Sequence, residues 1–255
     1  MKPLKTGAIF LCAILFLFVI CFCKEHQKVP QFHDCKLAAC FLAAPMQLLF
    51  SRISLVENTP TISRAQVQRF LPEVAALERN WKAIRDEYYT IQDQIAPIKG
   101  DLFFKTFVPD HKWKRFYIKW YSPIAPAVRT QVPFVSNLLD QNPNIQLAMF
   151  SILEPNAVIK PHRGLYNGAL RVHLGLSCPS REDGCALTVN GETYGWEKGK
   201  CLVWDDTFVH QVVNNSNQNR VILFLDVKRP VKDTVCAQTF QKLCNRAASF
   251  TNRET

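Results

Sequence analysis

The chain lacks several patterns that would identify a common class of protein. Its ten cysteines include no CxxC pair, which argues against a zinc finger or a thioredoxin-type redox motif. Its basic residues give a formal net charge of +10, but they are scattered and form no nucleic-acid-binding motif. We therefore expect no nucleic acid partner. The positive balance favours phosphates, anionic lipid surfaces or acidic substrates.

The N-terminal residues have the composition of a membrane segment. Residues 7–23 are almost wholly apolar and have lysines on both sides. A secretory signal peptide is the alternative, but residues 22–24 (Phe-Cys-Lys) offer no small-x-small cleavage site. We expect an uncleaved single-pass transmembrane anchor over residues 1–28. A second apolar run, residues 37–50, suits an interfacial or buried helix, and residues 29–69 form a membrane-proximal segment and linker.

Residues 70–255 are predicted to form one domain with a β core. A helix with a continuous apolar stripe is expected to start near Pro72, and another over Val132–Asp140. From about residue 112, short strand candidates separated by turn residues follow without an intervening βαβ pattern. The candidates are 146–153, 156–160, 169–176, 185–190, 193–196, 200–205, 209–214 and 219–228.

This pattern predicts a mainly β fold, a double-stranded β-helix or jelly roll of the cupin-like kind. The core spans about residues 112–230, with flanking α-helices and a final helix over 232–247. Asn190-Gly191 between two strand candidates is a strong hairpin signal. The predicted fold class also includes the N-terminal membrane segment.

Two histidines are candidate metal ligands. His162 follows extended sequence that ends in Pro161, and His210 leads into the strand candidate 209–214. Neutral imidazoles on a rigid β scaffold are good ligands for a divalent transition metal. A facial triad would carry Asp or Glu at position 164, which is Gly164 in this chain. The chain therefore offers either a two-histidine site with an open position or no metal site.

Polar residues punctuate strands that are otherwise apolar. Arg171 and His173 are two residues apart and share one face of a predicted strand. Arg220 is the first residue of a predicted strand that is otherwise apolar, and Ser151 lies in another apolar strand. Buried cationic groups are costly unless something anionic meets them. An arginine in such a place suits bidentate capture of a carboxylate. With the two histidines, this set predicts a pocket for a dicarboxylate that chelates the metal.

The run from Ser151 to Pro230 resembles the aspartyl/asparaginyl β-hydroxylase family of Fe(II)/2-oxoglutarate oxygenases, and the likeness extends over roughly residues 70 to 230. Within that family the chain looks most like the lipid A acyl-chain 2-hydroxylases, through Phe116-Tyr117 with Lys119-Trp120. The matching segments are Phe150-Ser151-Ile152-Leu153, Pro161-His162-Arg163-Gly164, residues 170–176, residues 196–200, residues 205–210 and Arg220-Val221-Ile222.

The resemblance implies Fe(II), with 2-oxoglutarate and O2 as cosubstrates. It implies that His162 and His210 hold the iron and that Gly164 leaves a coordination position to water. Asp205 or Asp206 is a candidate to replace the acidic metal ligand that is absent at position 164. We expect instead that the two aspartates form a turn, or a supporting pair, that orients His210.

The resemblance also implies how the cosubstrate is bound. Arg220 with Ser151 would bind the distal carboxylate of 2-oxoglutarate. His173 would contact the carboxylate near the metal, and Arg171 would lie close to the cosubstrate or the substrate.

The implied activity is hydroxylation of an unactivated C–H bond. The first hypothesis for the substrate is a membrane lipid acyl chain of the lipid A type, because the apolar N-terminus brings the domain to a bilayer. The second is an Asp or Asn residue of a protein, and the third is a non-catalytic cupin-like binding module. The supply of iron and 2-oxoglutarate favours a cytoplasmic-facing domain; a lumenal domain with a Cys178–Cys185 bridge is the alternative.

Overall fold

A computed structural model describes residues 46–95, 112–164 and 166–249. The predicted anchor over residues 1–28 lies outside them. None of the helices in these three ranges is long and apolar enough to cross a bilayer. The described residues divide into two compact units, one that contains residues 46–58, 166–168 and 229–249, and one that contains residues 59–95, 112–164 and 169–228.

The larger unit contains two antiparallel sheets. The five-stranded sheet has the order β1-β2-β9-β4-β7, and the four-stranded sheet has the order β3-β8-β5-β6. The strands are β1 Trp113–Trp120, β2 Ile145–Leu153, β3 Ala157–His162, β4 Ala169–Ser177, β5 Cys185–Val189, β6 Glu192–Tyr194, β7 Cys201–Trp204, β8 His210–Asn214 and β9 Arg220–Lys228.

One apolar core is shared by the inner faces of the two sheets. Leu147, Met149 and Ile222 of the five-stranded sheet belong to the same buried cluster as Leu187 and Val212 of the four-stranded sheet. Two antiparallel sheets that enclose a common core in this strand order form a jelly roll. The mainly β jelly-roll prediction is therefore confirmed.

The predicted strands agree with the observed ones to within two residues at nearly every boundary. The predicted hairpin turn is also present, with φ of 49° at Asn190 and 89° at Gly191. Positive φ at both central residues is the requirement of the tight turn that joins β5 to β6.

The helices differ more from expectation. A helix over residues 46–53 (α1) overlaps the apolar run 37–50, which was expected to form an interfacial or buried helix. In contrast, α2 (Arg64–Phe70) begins within the segment that was predicted as linker. The helix predicted from Pro72 is divided into α3 (Pro72–Arg79) and α4 (Trp81–Ile91). Asn80 separates them because its side-chain amide turns back to the carbonyl of Ala76, at 2.8 Å, and such local bonds compete with the helix.

The remaining helices are α5 (Pro126–Gln131), α6 (Pro133–Asp140) and α7 (Val235–Ser249). The α6 helix confirms the prediction for Val132–Asp140. The α4 helix covers the outer face of the five-stranded sheet, where the ring of Tyr88 lies 5.4 Å from that of Phe150.

The smaller unit has its own apolar contacts. Phe50 of α1 is fully buried and packs against Tyr166 and against Phe240 of α7, with ring centroids 6.1 Å and 5.1 Å apart. The buried Arg229 donates from Nε to the carbonyl of Asn167 at 2.7 Å. The α7 helix starts at Val235, three residues after the predicted start.

The side chain of Asn214 links the end of β8 to the end of β2 and to the loop before β9. Its side chain is fully buried, and its Nδ2 lies 2.9, 3.1 and 2.9 Å from the carbonyl oxygens of Leu153, Glu154 and Gln218. Its Oδ1 accepts from the hydroxyl of Ser216 at 2.6 Å. Truncation would leave several buried polar groups without partners.

We predict that Asn214→Ala lowers the free energy of unfolding by about 3 kcal/mol, because each unpaired buried group costs about 1–3 kcal/mol. Urea denaturation followed by circular dichroism measures the change. The exposed Asn217 is the matched control, and Asn217→Ala should stay within about 0.5 kcal/mol of the wild type. Equal effects of the two substitutions would contradict the assignment.

Candidate metal and dicarboxylate site

His162 lies beside His210 because strand β3 contains an irregularity. Ile159 pairs with Val212 and His162 pairs with His210, so three steps along β3 match two steps along β8. In a regular strand, His162 and Ile159 would point to opposite faces. Pro161 has no N–H to give to the ladder and is a favourable place for such a bulge. The two imidazole ring centroids are 4.0 Å apart.

Both imidazoles present an unprotonated Nε2. Nδ1 of His162 lies 2.8 Å from the carbonyl oxygen of Lys160, and Nδ1 of His210 lies 2.9 Å from that of Phe208. Because a carbonyl only accepts, each Nδ1 carries the proton and each Nε2 keeps its lone pair. Burial lowers the pKa of His162, and burial followed by the neighbouring His162 lowers the pKa of His210 to about 3. Two neutral imidazoles of this kind can bind a divalent metal.

The described residues contain no group of three or more His, Cys, Asp or Glu side chains placed to hold a metal ion. The two aspartates before His210 have different surroundings. Oδ1 of the fully buried Asp205 accepts from the N–H and hydroxyl of Thr207, at 3.0 and 2.7 Å. Asp205 therefore shapes the loop that leads to His210.

Asp206 lies against Gly164. A Cβ atom added to Gly164 would fall 2.3 Å from Oδ2 and 2.4 Å from Cγ of Asp206. The backbone N–H of Gly164 also donates to the carbonyl of Asp206 at 2.7 Å. The carboxylate of Asp206 thus fills the space in which a side chain at position 164 would begin, and only glycine leaves room for it.

Arg171 is paired with two carboxylates. Its Nη2 lies 2.5 Å from Oδ2 of Asp206, and its Nε lies 2.9 Å from Oδ1 of Asp226. Against the lowering effect of burial, these carboxylates raise the pKa of Arg171. Tyr121 donates from its hydroxyl to Asp226 at 2.9 Å. The charge of Arg171 is therefore balanced by carboxylates of the chain itself. The sequence did not predict this pairing.

Arg220 has a contrasting environment. It is 2% exposed, its guanidinium lies 5.0 Å from the ring centroid of Trp196, and burial lowers its pKa. Within the described residues no carboxylate pairs with it, and its Nε has no hydrogen-bond partner. A buried cation in this state is unfavourable without an added anion.

Ser151 is the neighbour of Arg220 on the same face of the sheet. It pairs with Ile222, and Leu153 pairs with Arg220, so Ser151 and Arg220 are diagonal neighbours on adjacent strands. Ser151 is fully buried and its hydroxyl accepts from Nε1 of Trp113 at 2.9 Å. Because that bond uses the oxygen as acceptor, the hydroxyl proton can be donated to an anion.

The tautomer of His173 follows from its neighbour. Nε1 of Trp196 donates to Nδ1 of His173 at 3.2 Å, and an indole N–H can only donate. Burial, followed by the charges of Arg220 and Arg171, holds the pKa of His173 well below its ordinary value. The neutral ring must therefore carry its proton on Nε2, which is buried and has no partner among the described residues.

These groups fit a divalent metal with a chelating dicarboxylate. The two unprotonated Nε2 atoms are of the type that binds a metal, while the cation of Arg220 and the N–H of His173 require an acceptor that the described chain does not supply. All four side chains are positioned by β3, β8, β9 and β4. Fe(II) with 2-oxoglutarate, the pair that the sequence resemblance implies, meets both requirements.

Several residues of the site were not identified from sequence. Trp113 and Trp196 donate to Ser151 and His173, and Asp226 pairs with Arg171. Asp226 lies an even number of residues from Arg220 along β9, which indicates that both side chains point to the same face of the sheet. The tryptophans lie on other strands or loops, and only cross-strand register reveals their contacts.

The model for the family "Aspartyl/Asparaginyl beta-hydroxylase" matches residues 78–230. The chain is 33% identical to an ornithine lipid ester-linked acyl 2-hydroxylase of Rhizobium tropici, over 63% of this chain and 59% of that protein. It is 31% identical to the aspartyl/asparaginyl beta-hydroxylase of Homo sapiens, over 62% of this chain and 21% of that protein. The match therefore spans less than two thirds of either relative.

Among solved structures, the fold is similar to an oxidoreductase of the 2OG-Fe(II) oxygenase family from Burkholderia pseudomallei. The TM-score is 0.44 at 15% identity, covering 65% of this chain and 87% of that chain. A Pseudomonas putida prolyl-4-hydroxylase gives a TM-score of 0.40 at 16% identity, covering 73% and 98%.

We predict that Gly164→Ala lowers the free energy of unfolding by about 2 kcal/mol, because the added Cβ overpacks against the Asp206 carboxylate. The carboxylate would have to leave its 2.5 Å contact with Arg171. Chemical denaturation of the metal-free protein measures the effect.

A double-mutant cycle isolates the cause. In an Asp206→Ala background, Gly164→Ala should cost less than about 0.5 kcal/mol, giving a coupling energy above about 1 kcal/mol. If the two substitutions were additive, Gly164 and Asp206 would not share this space.

Proposed function

Because the chain belongs to the aspartyl/asparaginyl β-hydroxylase family, we propose that it is an Fe(II)/2-oxoglutarate-dependent dioxygenase that hydroxylates a C–H bond. The observation that carries the proposal is a single inner surface with two unprotonated Nε2 atoms and a buried arginine without a carboxylate partner among the described residues. The first group suits a metal and the second suits a dicarboxylate.

In this proposal the chain binds and orients, and ferrous iron with 2-oxoglutarate and O2 supplies the oxidising chemistry. His162 and His210 hold the metal through Nε2. Arg220 and Ser151 hold the distal carboxylate, and the Nε2–H of His173 donates to the carboxylate near the metal. Carbonyl acceptors on Nδ1 keep both ligand rings in one orientation.

We assign Arg171 a different role from the one that the sequence suggested. Its charge is balanced by Asp206 and Asp226, so a further carboxylate of the cosubstrate is not needed to neutralise it. Arg171 instead holds the Asp206 carboxylate beside Gly164. Asp206 then presents its carboxylate beside Gly164, two residues after the proposed ligand His162.

The substrate we propose is the acyl chain of a polar membrane lipid. A relative that shares 33% identity is named an acyl 2-hydroxylase of an ornithine lipid, and the resemblance of the sequence is to lipid A hydroxylases. The net charge of +10 favours anionic lipid surfaces. Residues 1–28 would anchor the protein in the membrane with residues 70–255 facing the cytoplasm.

Hydroxylation of Asp or Asn in a protein is the second candidate, because the human relative bears that name. The non-catalytic binding module is the third.

The lumenal alternative for the domain includes a bridge between Cys178 and Cys185. Both are free thiols in the structure, and burial raises the pKa of Cys178 to about 12 and that of Cys185 to about 11.

A substrate assay separates these candidates. The purified full chain with Fe(II), 2-oxoglutarate and O2 is incubated with ornithine lipid or lipid A in vesicles, and separately with peptides containing Asp and Asn. We expect succinate formation and a mass gain of one oxygen on a lipid acyl chain. Gain on a peptide alone would favour the second candidate, and absence of succinate with every substrate would favour the binding module.

His162→Ala should abolish succinate formation and oxygen incorporation, since it removes one of two metal ligands. Lys160→Ala is the matched control, because this exposed neighbour on β3 keeps the backbone carbonyl that His162 uses. It should retain turnover.

We further predict that Arg220→Met weakens 2-oxoglutarate binding about a hundredfold without lowering the thermal midpoint of the metal-free protein. Replacing a buried charge by an apolar side chain of similar length is neutral or stabilising when no partner is lost. Calorimetric titration with Mn(II) and 2-oxoglutarate, and thermal unfolding, provide the two readouts. Arg129→Met, which removes an exposed ion pair with Asp140, should leave cosubstrate binding unchanged.

A further inference from the structure

Trp204 lies between the two parts of the proposed site. It is the last residue of β7, pairs with Arg171 of β4 and is 2% exposed. Its ring centroid lies 4.6 Å from that of His210 and 5.5 Å from that of His173, and both ring contacts are edge-on. One indole therefore touches a proposed metal ligand and a proposed cosubstrate-binding histidine.

The indole N–H of Trp204 has no acceptor in the described part of the chain. Its Nε1 is buried and makes no hydrogen bond there. A buried tryptophan usually finds a partner for this group, and leaving such a donor unpaired is unfavourable. The sole polar atom of this side chain therefore lacks a partner among the described residues.

A second unpartnered donor belongs to the ring that Trp204 contacts. Nε2–H of His173 is also buried and without a partner among the described residues. Trp120 provides a useful contrast, because its Nε1 is equally unpartnered but its ring contacts Tyr117 and Tyr121. What distinguishes Trp204 is the second donor beside it, on His173, and its contact with the proposed metal ligand His210.

We propose that Nε1–H of Trp204 donates a hydrogen bond to the 2-oxoglutarate carboxylate next to the metal, alongside Nε2–H of His173. This inference rests on the proposed function, since it requires that 2-oxoglutarate binds. It gives Trp204 a role in cosubstrate binding and orientation. It also explains why a large polar-tipped aromatic side chain occupies this buried position instead of a purely apolar one.

The test observes the indole N–H directly. Full-length protein labelled with 15N at the tryptophan indoles is titrated first with Zn(II), which is diamagnetic, and then with 2-oxoglutarate. We expect the Trp204 resonance to move downfield with 2-oxoglutarate and to move much less with Zn(II) alone. Mn(II) broadens the indoles near the histidines, and the spectrum of Trp204→Phe, which lacks this resonance, completes its assignment.

Trp204→Phe keeps the ring and removes the N–H. We expect the Kd of 2-oxoglutarate in the presence of Mn(II) to rise about tenfold, the cost of one hydrogen bond to a charged group, while the Kd of Mn(II) alone stays the same. Trp81→Phe is the control, because Trp81 lies on α4 and contacts Arg85 and Gly199. It should leave both constants unchanged.

The outcomes separate the two proposals. Unaltered 2-oxoglutarate binding in Trp204→Phe, or an unmoved indole resonance in a wild-type protein that does bind 2-oxoglutarate, overturns the role of Trp204 and leaves the proposed function standing. Failure of the wild-type protein to bind 2-oxoglutarate overturns both.

Discussion

The ladder between β3 and β8 slips by one residue at Pro161, and the candidate site depends on this slip. It sets His162 beside His210 across the pair of strands. It also brings Gly164 against the loop that precedes His210, where the backbone of Gly164 bonds to Asp206. A regular ladder would send His162 to the opposite face and separate these contacts. One local feature of the backbone thus arranges the ligand pair and the neighbouring carboxylate together.

Two arginines on the inner face of the five-stranded sheet, the partly buried Arg171 and the fully buried Arg220, show how the chain distributes charge. Arg171 is neutralised from two sides by aspartates of the protein. Arg220 packs on the indole of Trp196, and the described chain offers it no carboxylate. The first arginine stabilises the architecture of the loop before His210. The second has no such partner among the described residues, and we propose that the cosubstrate supplies it.

The sequence predicted the jelly roll and suggested several candidate site residues because both rest on period-two patterns. Strand boundaries and the Asn190-Gly191 turn follow from local residue types, and the shared face of Arg171 and His173 follows from spacing. The break between α3 and α4 at Asn80 was not predicted, because the apolar stripe continues across it. The break depends on the side chain of Asn80, which donates a hydrogen bond to the carbonyl of Ala76 in the preceding helix. The partners of Arg171 and the place of Trp204 depend on register between distant strands, which local sequence does not encode.

If 2-oxoglutarate binds as we propose, the incomplete contact at Arg220 would also affect how long the protein lasts in a cell. A ligand that compensates a buried charge binds the folded state and not the unfolded chain, so it shifts the folding equilibrium in proportion to its concentration. Protein without cosubstrate unfolds more often and is exposed more often to proteases. The abundance of the enzyme would therefore follow the supply of its own cosubstrate, a form of metabolic control that requires no separate regulatory site.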